Sequence, residues 1–423
     1  MSRREALRVL IASDFYPPFI GGLERQSAME ARELAARGHE VTVATIWHPG
    51  LPETETDQGV RISRLKGIVD RLPWLGSVPN RRFHPPFPDP GIVLGLRRLV
   101  RERGIEVVNG TGWIAYSCAG AVAGTGVPLV VSVRDNGYGC AVRTLVRYGR
   151  PCEGPGNWKC LKCAGHQYGA AKGATAVLGV RGRRRWLARR TSAFHCISRY
   201  VKMTLERDVL RGGRTFPPEI ALIPDIVDDA TAGRADAGGT EASAAQRLPA
   251  APYMLFVGAI HRNKGVDTLL SAYQRLSSPP PLVLIGTLWP DSPAEFPAGV
   301  HVLTDVPHPE VMRAWSRCLF GVAPSVTPEG FGDVVVEAMS MSKAVIGSTL
   351  GGHRDSIEPG VTGLLVEPGD TAGLTKAMQL LIDDVDLRNR LGEQGRLSSA
   401  RCRPDAVVPQ FETLFRRVVG PRR

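Results

Sequence analysis

Short apolar runs alternate along the chain with stretches in which apolar residues recur at helical spacing. The first run, residues 7–12, is typical of a strand buried on both faces of a parallel sheet. Ala28, Ala31 and Leu34 then share one helical face, and Gly38 ends that helix. The same pattern predicts a helix at 92–103 and strands at 40–46, 105–108, 129–133, 194–197 and 220–223. Residues 51–90 are rich in proline and predict no regular element.

A second alternation of strands and helices begins after a segment rich in alanine, glycine, threonine and serine. It predicts strands at 253–257, 282–285, 300–303, 319–323, 344–347 and 363–366, with helices between them. Repeated strand–helix units indicate a doubly wound parallel sheet, so we expect two Rossmann-like α/β domains facing a cleft. The predicted organisation is a first domain at 1–227 with a cysteine-rich insert at 138–166, a linker at 228–251, a second domain at 252–404, and a helix at 405–423 that returns to the first domain.

Composition restricts the class of protein. Apolar residues make up 43% and charged residues 22% of the chain, which excludes a wholly disordered protein. The 53 basic residues exceed the 41 acidic ones by 12, a balance that favours an anionic partner. The longest uncharged run, residues 109–133, is interrupted by glycine and proline, so it does not predict a membrane span. The first fifteen residues lack the apolar core of a signal peptide, and we therefore expect a cytoplasmic protein.

The densest candidate chemistry lies between residues 329 and 337, Glu-Gly-Phe-Gly-Asp-Val-Val-Val-Glu. A predicted strand ends near Ala323, and a helix is expected to start around Gly332. Backbone N–H groups at such a helix start form a natural anion site. Glu329 in the loop and Glu337 in the helix are placed to accept hydrogen bonds from hydroxyls on two parts of one ligand.

This block resembles the family-4 retaining glycosyltransferases of GT-B fold. The resemblance extends from about residue 7 to residue 400 and rests on several further segments: Tyr16-Pro-Pro-Phe-Ile-Gly-Gly22, Ser198-Arg199, Phe256-Val-Gly258, Lys264-Gly265, Ala338-Met339, Gly351-Gly352 and Gly369-Asp370. It implies transfer of a sugar from a nucleotide-sugar donor to an acceptor with retention of the anomeric configuration. A lipid-linked or envelope polysaccharide precursor is the acceptor class expected from many relatives.

The resemblance also implies roles for individual residues. Glu329, with the backbone at Phe331 and Gly332, would hold the donor sugar's hydroxyls, and Glu337 would accept from the ribose. Lys264 would meet the donor diphosphate, and Gly22 would approach it from the first domain. Fixed cations and a helix N-terminus stabilise a departing diphosphate, so no cofactor is expected for catalysis.

The chain departs from the family pattern at three places. Ala259 stands where the family usually has an arginine, and Arg262 is the expected replacement because its guanidinium suits phosphate. Asn109 and Thr111 replace a common His-x-His, and Arg134-Asp135 replaces a common His-Asp. Arg134 and Asp135 are therefore the candidate catalytic residues on the acceptor side. Arg134 can stabilise negative charge but cannot act as a general base.

Four of the eight cysteines fall within 24 residues: Cys140, Cys152, Cys160 and Cys163. Their spacing fits a structural zinc site, with an iron–sulfur cluster, free thiols and disulfides as alternatives. In a chain without an export signal the metal is favoured over disulfides.

Basic residues crowd the segment 181–190 around Trp186. A solvated helix explains this pattern, and so does contact with an anionic membrane surface at the inner face of the cell membrane. Nucleic acid is not expected as a partner, because no recognition motif accompanies the charge. The departures from the family pattern leave two alternatives to a transferase, a non-catalytic nucleotide-sugar-binding subunit and another GT-B enzyme such as an epimerase.

Overall fold

The computed structural model describes residues 6–19, 21–71, 83–211, 218–227 and 247–421. The chain divides into two compact units. The first unit contains Met1–Tyr148, Cys152–Ile226 and Val407–Arg423, and the second contains Gly149–Pro151 and Val227–Ala406. Most of the predicted linker, residues 228–246, lies outside the described residues.

An eight-stranded sheet forms the centre of the first unit, in the order β10-β9-β6-β5-β1-β2-β4-β3. Its pairs are parallel except for β3 against β4. The strands are β1 (Arg8–Ser13), β2 (Glu40–Ile46), β3 (Thr54–Asp57), β4 (Val60–Leu65), β5 (Val107–Thr111), β6 (Leu129–Val133), β9 (Ala193–Cys196) and β10 (Glu219–Leu222). A separate two-stranded ribbon joins β7 (Val146–Arg147) to β8 (Arg150–Pro151).

Helices connect these strands. They are α1 (Gly22–Ala36), α2 (Ile68–Arg71), α3 (Pro90–Glu102), α4 (Ile114–Ala121), α5 (Asn157–Tyr168), α6 (Ala170–Arg190) and α7 (Arg199–Leu205), which continues into a π-helical turn at Glu206–Leu210. Asp89 caps α3 by accepting hydrogen bonds from the N–H groups of Gly91 and Ile92, and Pro90 begins that helix. The central strands are buried along their whole length because helices cover both faces of the sheet.

The second unit contains a six-stranded parallel sheet in the order β13-β12-β11-β14-β15-β16. Its strands are β11 (Met254–Val257), β12 (Leu282–Ile285), β13 (Val300–Leu303), β14 (Phe320–Ala323), β15 (Ala344–Ser348) and β16 (Leu364–Val366). Its helices are α8 (Val266–Tyr273), α9 (His308–Arg317), α10 (Asp333–Ser340), α11 (His353–Ser356), α12 (Thr371–Asp383) and α13 (Val385–Ser399). Alternate residues of β11 enter two cores, Phe256 on one face and Leu255 on the other.

The last helix, α14 (Pro404–Val419), ends in the first unit. Phe411 and Phe415 are buried in the core that contains Val9 and Leu34. The helix also places Glu412 3.1 Å from Nε2 of His39. None of the helices in the described residues is long and apolar enough to cross a membrane.

The proline-rich stretch from 51 to 90 contains regular structure that its pattern did not predict. The edge strand β3, its partner β4 and the short helix α2 lie there. The sequence of β3, Thr-Glu-Thr-Asp, has no apolar residue, because this strand lies at the solvated edge of the sheet. Residues 72–82 of the stretch lie outside the described residues.

Candidate active site

Two loops of the second unit meet at the point where the strand order of its sheet reverses. One follows β11 and ends in a 3₁₀ turn, Arg262–Lys264, and the other follows β14. Nζ of Lys264 lies 2.7 Å from Oε1 and 2.8 Å from Oε2 of Glu329. Ligands of doubly wound sheets bind at such reversal points, beyond the carboxyl ends of the strands. The structure thus brings together two residues that the sequence predicted for donor binding.

A third loop fixes the backbone of Glu329. The N–H of Gly352, after β15, donates to the carbonyl of Glu329 over 2.8 Å. Gly351 has a φ of +63°, and a Cβ atom there would lie 2.3 Å from that carbonyl oxygen. Only glycine permits both the left-handed conformation and this close approach. The Gly351-Gly352 pair therefore serves to position Glu329.

The Glu329 carboxylate is held in its charged form. Burial alone raises its pKa, but the charges of Lys264 and His353 and hydrogen bonds from Lys264 and Ser325 outweigh burial and bring the pKa to about 2. The Ser325 hydroxyl donates to Oε1 over 2.6 Å. The side chain of Glu329 is still 19% exposed and that of Lys264 33%. At neutral pH the site thus presents an ionised acceptor beside an ammonium group.

His353 lies against this pair and was not predicted from the sequence. It begins α11 and is 1% exposed. Burial, more than the opposing charge of Glu329, lowers its pKa to about 4, so the ring is neutral at pH 7. Its Nδ1 accepts a hydrogen bond from the N–H of Ser348 over 3.3 Å.

The predicted start of the next helix is confirmed within one residue. Gly332 precedes α10 with a φ of +93°, and a Cβ atom there would lie 2.5 Å from Cδ2 of His353. Phe331 is buried, with 4% of its surface exposed. Asp333 occupies the first helical turn, so a carboxylate shares this helix end with any bound anion.

Glu337 is almost fully buried inside α10. Its side chain is 3% exposed, and Oε1 lies 3.0 Å from Nε2 of His308, which begins α9. The His308 ring is 30% exposed and covers the carboxylate. Contact between Glu337 and a ribose hydroxyl therefore requires this ring to move.

Arg262 points away from the Lys264–Glu329 pair. Its side chain is 74% exposed, and Nε lies 3.2 Å from a carboxylate oxygen of Asp267 in α8. The predicted phosphate role of Arg262 stays a prediction.

The first unit has its own reversal of strand order, between β1 and β5. Gly22 is the first residue of the helix that follows β1. The carboxylate of Asp14, in the same loop, accepts hydrogen bonds from the N–H groups of Trp113 and Ile114 at 3.0 and 2.7 Å. This carboxylate therefore joins the loops after β1 and β5 and caps the start of α4.

Arg134 is buried in a network of ion pairs. It is 9% exposed and pairs with Glu30 at 3.2 Å and with Asp225. These carboxylates neutralise its charge, and the predicted catalytic role of Arg134 stays a prediction. Asp135 is 32% exposed and pairs with Arg143 at 2.7 Å.

The network continues through the residue that replaces the first family histidine. Nδ2 of Asn109 donates to Glu30 over 2.6 Å, and Oδ1 accepts from Ser132 over 2.8 Å. The Ser132 hydroxyl also lies 2.9 Å from Nδ1 of His195, whose pKa is lowered to about 3 by burial. These polar groups satisfy one another inside the first unit.

Two family models match the chain. The model of Glycosyltransferase Family 4 matches residues 20–230, and that of Glycosyl transferases group 1 matches residues 241–398. The chain belongs to the family-4 glycosyltransferases. The Lys264–Glu329 pair lies in the segment matched by the group 1 model.

Solved structures show the same fold. Sucrose-phosphate synthase from Thermosynechococcus elongatus matches with a TM-score of 0.71 and 20% identity, over 98% of this chain and 99% of that one. Alr3699/HepE from Anabaena, in complex with UDP-glucose, matches with a TM-score of 0.63 and 15% identity, over 96% and 99%. The predicted fold class, α/β of GT-B type with two Rossmann-like doubly wound domains, is confirmed.

Similarity to curated glycosyltransferases covers shorter segments. The uncharacterized glycosyltransferase MJ1178 of Methanocaldococcus jannaschii is 34% identical over 146 residues, which are 34% of this chain and 41% of that protein. The matches span between 12% and 42% of the lengths of the first four curated relatives.

Sequence reasoning on this family-4 chain missed three side chains of the site: Ser325, His353 and His308. Ser325 and His353 had usable signals, since one lies four residues before Glu329 and the other directly follows the Gly351-Gly352 pair. His308 had none, because it reaches Glu337 from 29 residues away through the tertiary fold.

Proposed function

We propose that this protein transfers a sugar from a nucleotide-sugar donor to an acceptor, with retention of the anomeric configuration. The observation that carries the proposal is the Lys264–Glu329 pair at the strand-order reversal of the second unit. It sets a full negative charge and a full positive charge side by side at the edge of the sheet where nucleotides bind.

Glu329 is suited to hold the donor sugar. Its ionised carboxylate has oxygens that accept hydrogen bonds from neighbouring hydroxyls, and such charge-assisted bonds are worth about 1.5–3 kcal/mol each. The backbone at Phe331 and Gly332 lies in the same loop and provides further polar groups. Bonds that strengthen as the sugar becomes an oxocarbenium-like species lower the barrier.

Lys264 is suited to the leaving group. Donor cleavage leaves both bonding electrons on the diphosphate oxygen, and an ammonium group near that oxygen stabilises the new charge. Because Lys264 is bonded to Glu329, a bound diphosphate would share the ammonium with this carboxylate. Arg262 lies in the same loop and would also contact the diphosphate once its ion pair with Asp267 breaks.

Measurements of nucleotide-sugar binding and of donor hydrolysis test the proposal. We would screen UDP-, GDP-, ADP- and TDP-sugars by thermal shift, beginning with UDP-glucose, the compound in the related Anabaena structure. Slow hydrolysis of a stabilising donor without acceptor, with the released sugar first appearing in the donor's anomeric configuration, is the expected result. Binding without hydrolysis or transfer would instead favour the non-catalytic subunit, an alternative that the buried Asn109 and Arg134 keep open.

We further propose that the acceptor is a saccharide or lipid-linked precursor met at an anionic membrane surface. On α6, Arg183, Arg185 and Arg189 are exposed, whereas Arg184 donates to the carbonyl of Asp208. Arg190 lies 4.6 Å from the centroid of the Trp186 ring. Each exposed arginine contributes about 1 kcal/mol near an anionic surface.

Vesicle co-sedimentation tests this surface. The protein should sediment with anionic but not neutral vesicles and dissociate in high salt. Changing Arg183, Arg185 and Arg189 together to serine should abolish sedimentation, with Arg184 left in place to keep α6 packed. Binding that ignores both salt and the three substitutions would refute the proposal.

A further inference from the structure

The four thiols of the cysteine-rich insert converge in space, although they are spread over 24 residues of the sequence. Cys140 precedes the β7–β8 ribbon, Cys152 directly follows it, and Cys160 and Cys163 lie in the first two turns of α5. All four are free, and all four line one pocket. The ribbon and the helix thus return the chain to one point.

A backbone N–H group is directed at one of the sulfur atoms. The N–H of Gly156 donates to Sγ of Cys160 over 3.2 Å. An N–H donor directed at a sulfur stabilises the thiolate, which is the form that binds metal.

Two of the other thiols are engaged as donors. Sγ of Cys152 donates to the carbonyl of Gly154 over 3.4 Å, and Sγ of Cys163 donates to that of Val146 over 3.7 Å. Accordingly, no three potential ligands within the described part of the chain already stand in metal-holding geometry. Loss of the two S–H protons would free these sulfurs to turn into the pocket they line.

The insert has only a small apolar core of its own. The buried residue of α5 is Ala164, and around the pocket Ala141 and Leu145 add little more apolar volume. Small modules with so little core depend on a disulfide or a metal.

We propose that Cys140, Cys152, Cys160 and Cys163 bind one Zn²⁺ as a tetrahedral tetrathiolate, with release of the four thiol protons. Four sulfur ligands in tetrahedral arrangement suit zinc, and metal binding supplies folding energy to the segment that carries the ligands. This inference does not depend on the proposed transferase activity.

The zinc site would also position Arg143, the ion-pair partner of Asp135. The N–H of Arg143 donates to the carbonyl of Cys140 over 3.0 Å, while its guanidinium lies 2.7 Å from Asp135 and 3.4 Å from Asp14. Asp14 in turn caps α4. Zinc removal is therefore expected to loosen Asp135 as well as the insert.

Elemental analysis of protein made in zinc-supplemented medium and purified without chelator tests the proposal. We expect one zinc per chain, and substitution by cobalt should give the charge-transfer and d–d bands of a tetrahedral Co²⁺–thiolate centre. Cys160→Ser combined with Cys163→Ser should remove the metal, while Cys402→Ala, at a buried cysteine outside the insert, should retain it.

Alkylation under native conditions gives a second readout that does not need the variants to fold. The insert thiols should resist modification in the zinc-loaded protein and react after chelation. Zinc no higher than in the double variant, together with four reactive thiols before chelation, would overturn the proposal. Iron with acid-labile sulfide would overturn it as well, because that result denotes a cluster.

Discussion

The carboxyl ends of the parallel strands carry charged residues in both units, but the two sets are used differently. In the second unit, Glu329 and Lys264 are paired and remain 19% and 33% exposed. In the first, Arg134 and its partners Glu30 and Asp225 are each less than 10% exposed. The Lys264–Glu329 pair of the second unit remains open to a ligand. The Arg134 network of the first unit is buried in the protein interior.

The proposed chemistry therefore depends on the Lys264–Glu329 pair of the second unit. Asn109 and Arg134 stand where the family commonly has histidines, and both are bonded to Glu30. A buried, paired guanidinium has little charge to offer to a reacting sugar. The expected contributions to catalysis therefore come from Glu329 and Lys264.

The largest expected effect is on the free energy of unfolding, and it distinguishes the Arg134 ion pairs from the Lys264–Glu329 pair. Arg134→Met should lower the free energy of unfolding of the first unit by about 3–5 kcal/mol, because Glu30 and Asp225 stay buried without a countercharge. Lys264→Met should lower the free energy of unfolding of the second unit by only about 1 kcal/mol, because its partner Glu329 is partly exposed to solvent. Hydrogen exchange in β6 and β14 under increasing urea measures each unit separately. Equal losses would contradict the distinction.

A smaller effect concerns pH. The pKa of His353 is about 4 in the folded chain and about 6.5 when unfolded, so between these values only the unfolded state binds the proton. Stability is therefore lost as pH falls through this window, by about 2 kcal/mol between pH 7 and pH 5.

Urea titrations at the two pH values check this expectation. His353→Asn keeps an acceptor for the N–H of Ser348 and should reduce the pH dependence of the second unit. The stability contributed by the Glu329 charge is lost only as pH drops from 4.5 toward 2. It therefore does not affect the comparison between pH 7 and pH 5. An unchanged pH dependence in His353→Asn would contradict a lowered pKa of His353 in the folded chain.

The fold was predictable wherever strands are buried on both faces. The predicted bounds of β2, β6 and β12 agree with the structure, and these strands are buried along nearly their whole length. The bounds of the edge strand β13 agree as well, although His301 in it is exposed. β3 and β4 escaped prediction: one is wholly polar, and the other contains two arginines.

The candidate site was predictable only in part. Motif spacing identified Glu329, Lys264 and the Gly351-Gly352 pair, but not their contacts, since three separate loops converge through the sheet. The pairing of Arg134 with Glu30 and Asp225 was equally hidden. Both partners lie about a hundred residues away, where no local pattern reports the pairing.

The smallest expected effect concerns the two cations of the loop after β11, Lys264 and Arg262. Calorimetric titration with UDP should show about a tenfold loss of affinity for Lys264→Ala, which corresponds to one charge-assisted hydrogen bond. Arg262→Ala should lose less, because this side chain is largely exposed and already pairs with Asp267. The double variant should lose most binding, and Arg275→Ala, at an exposed arginine beyond α8, is the matched control. Wild-type affinity in Arg262→Ala would remove this residue from the site.

The most direct test of the central claim is the turnover of Glu329→Gln with the donor found in the thermal-shift screen. The substitution keeps the volume but removes the charge, so donor hydrolysis or transfer should fall at least about tenfold. Glu358→Gln, at an exposed carboxylate of the same unit, should keep the wild-type rate. A correctly folded Glu329→Gln protein with wild-type turnover would contradict the account.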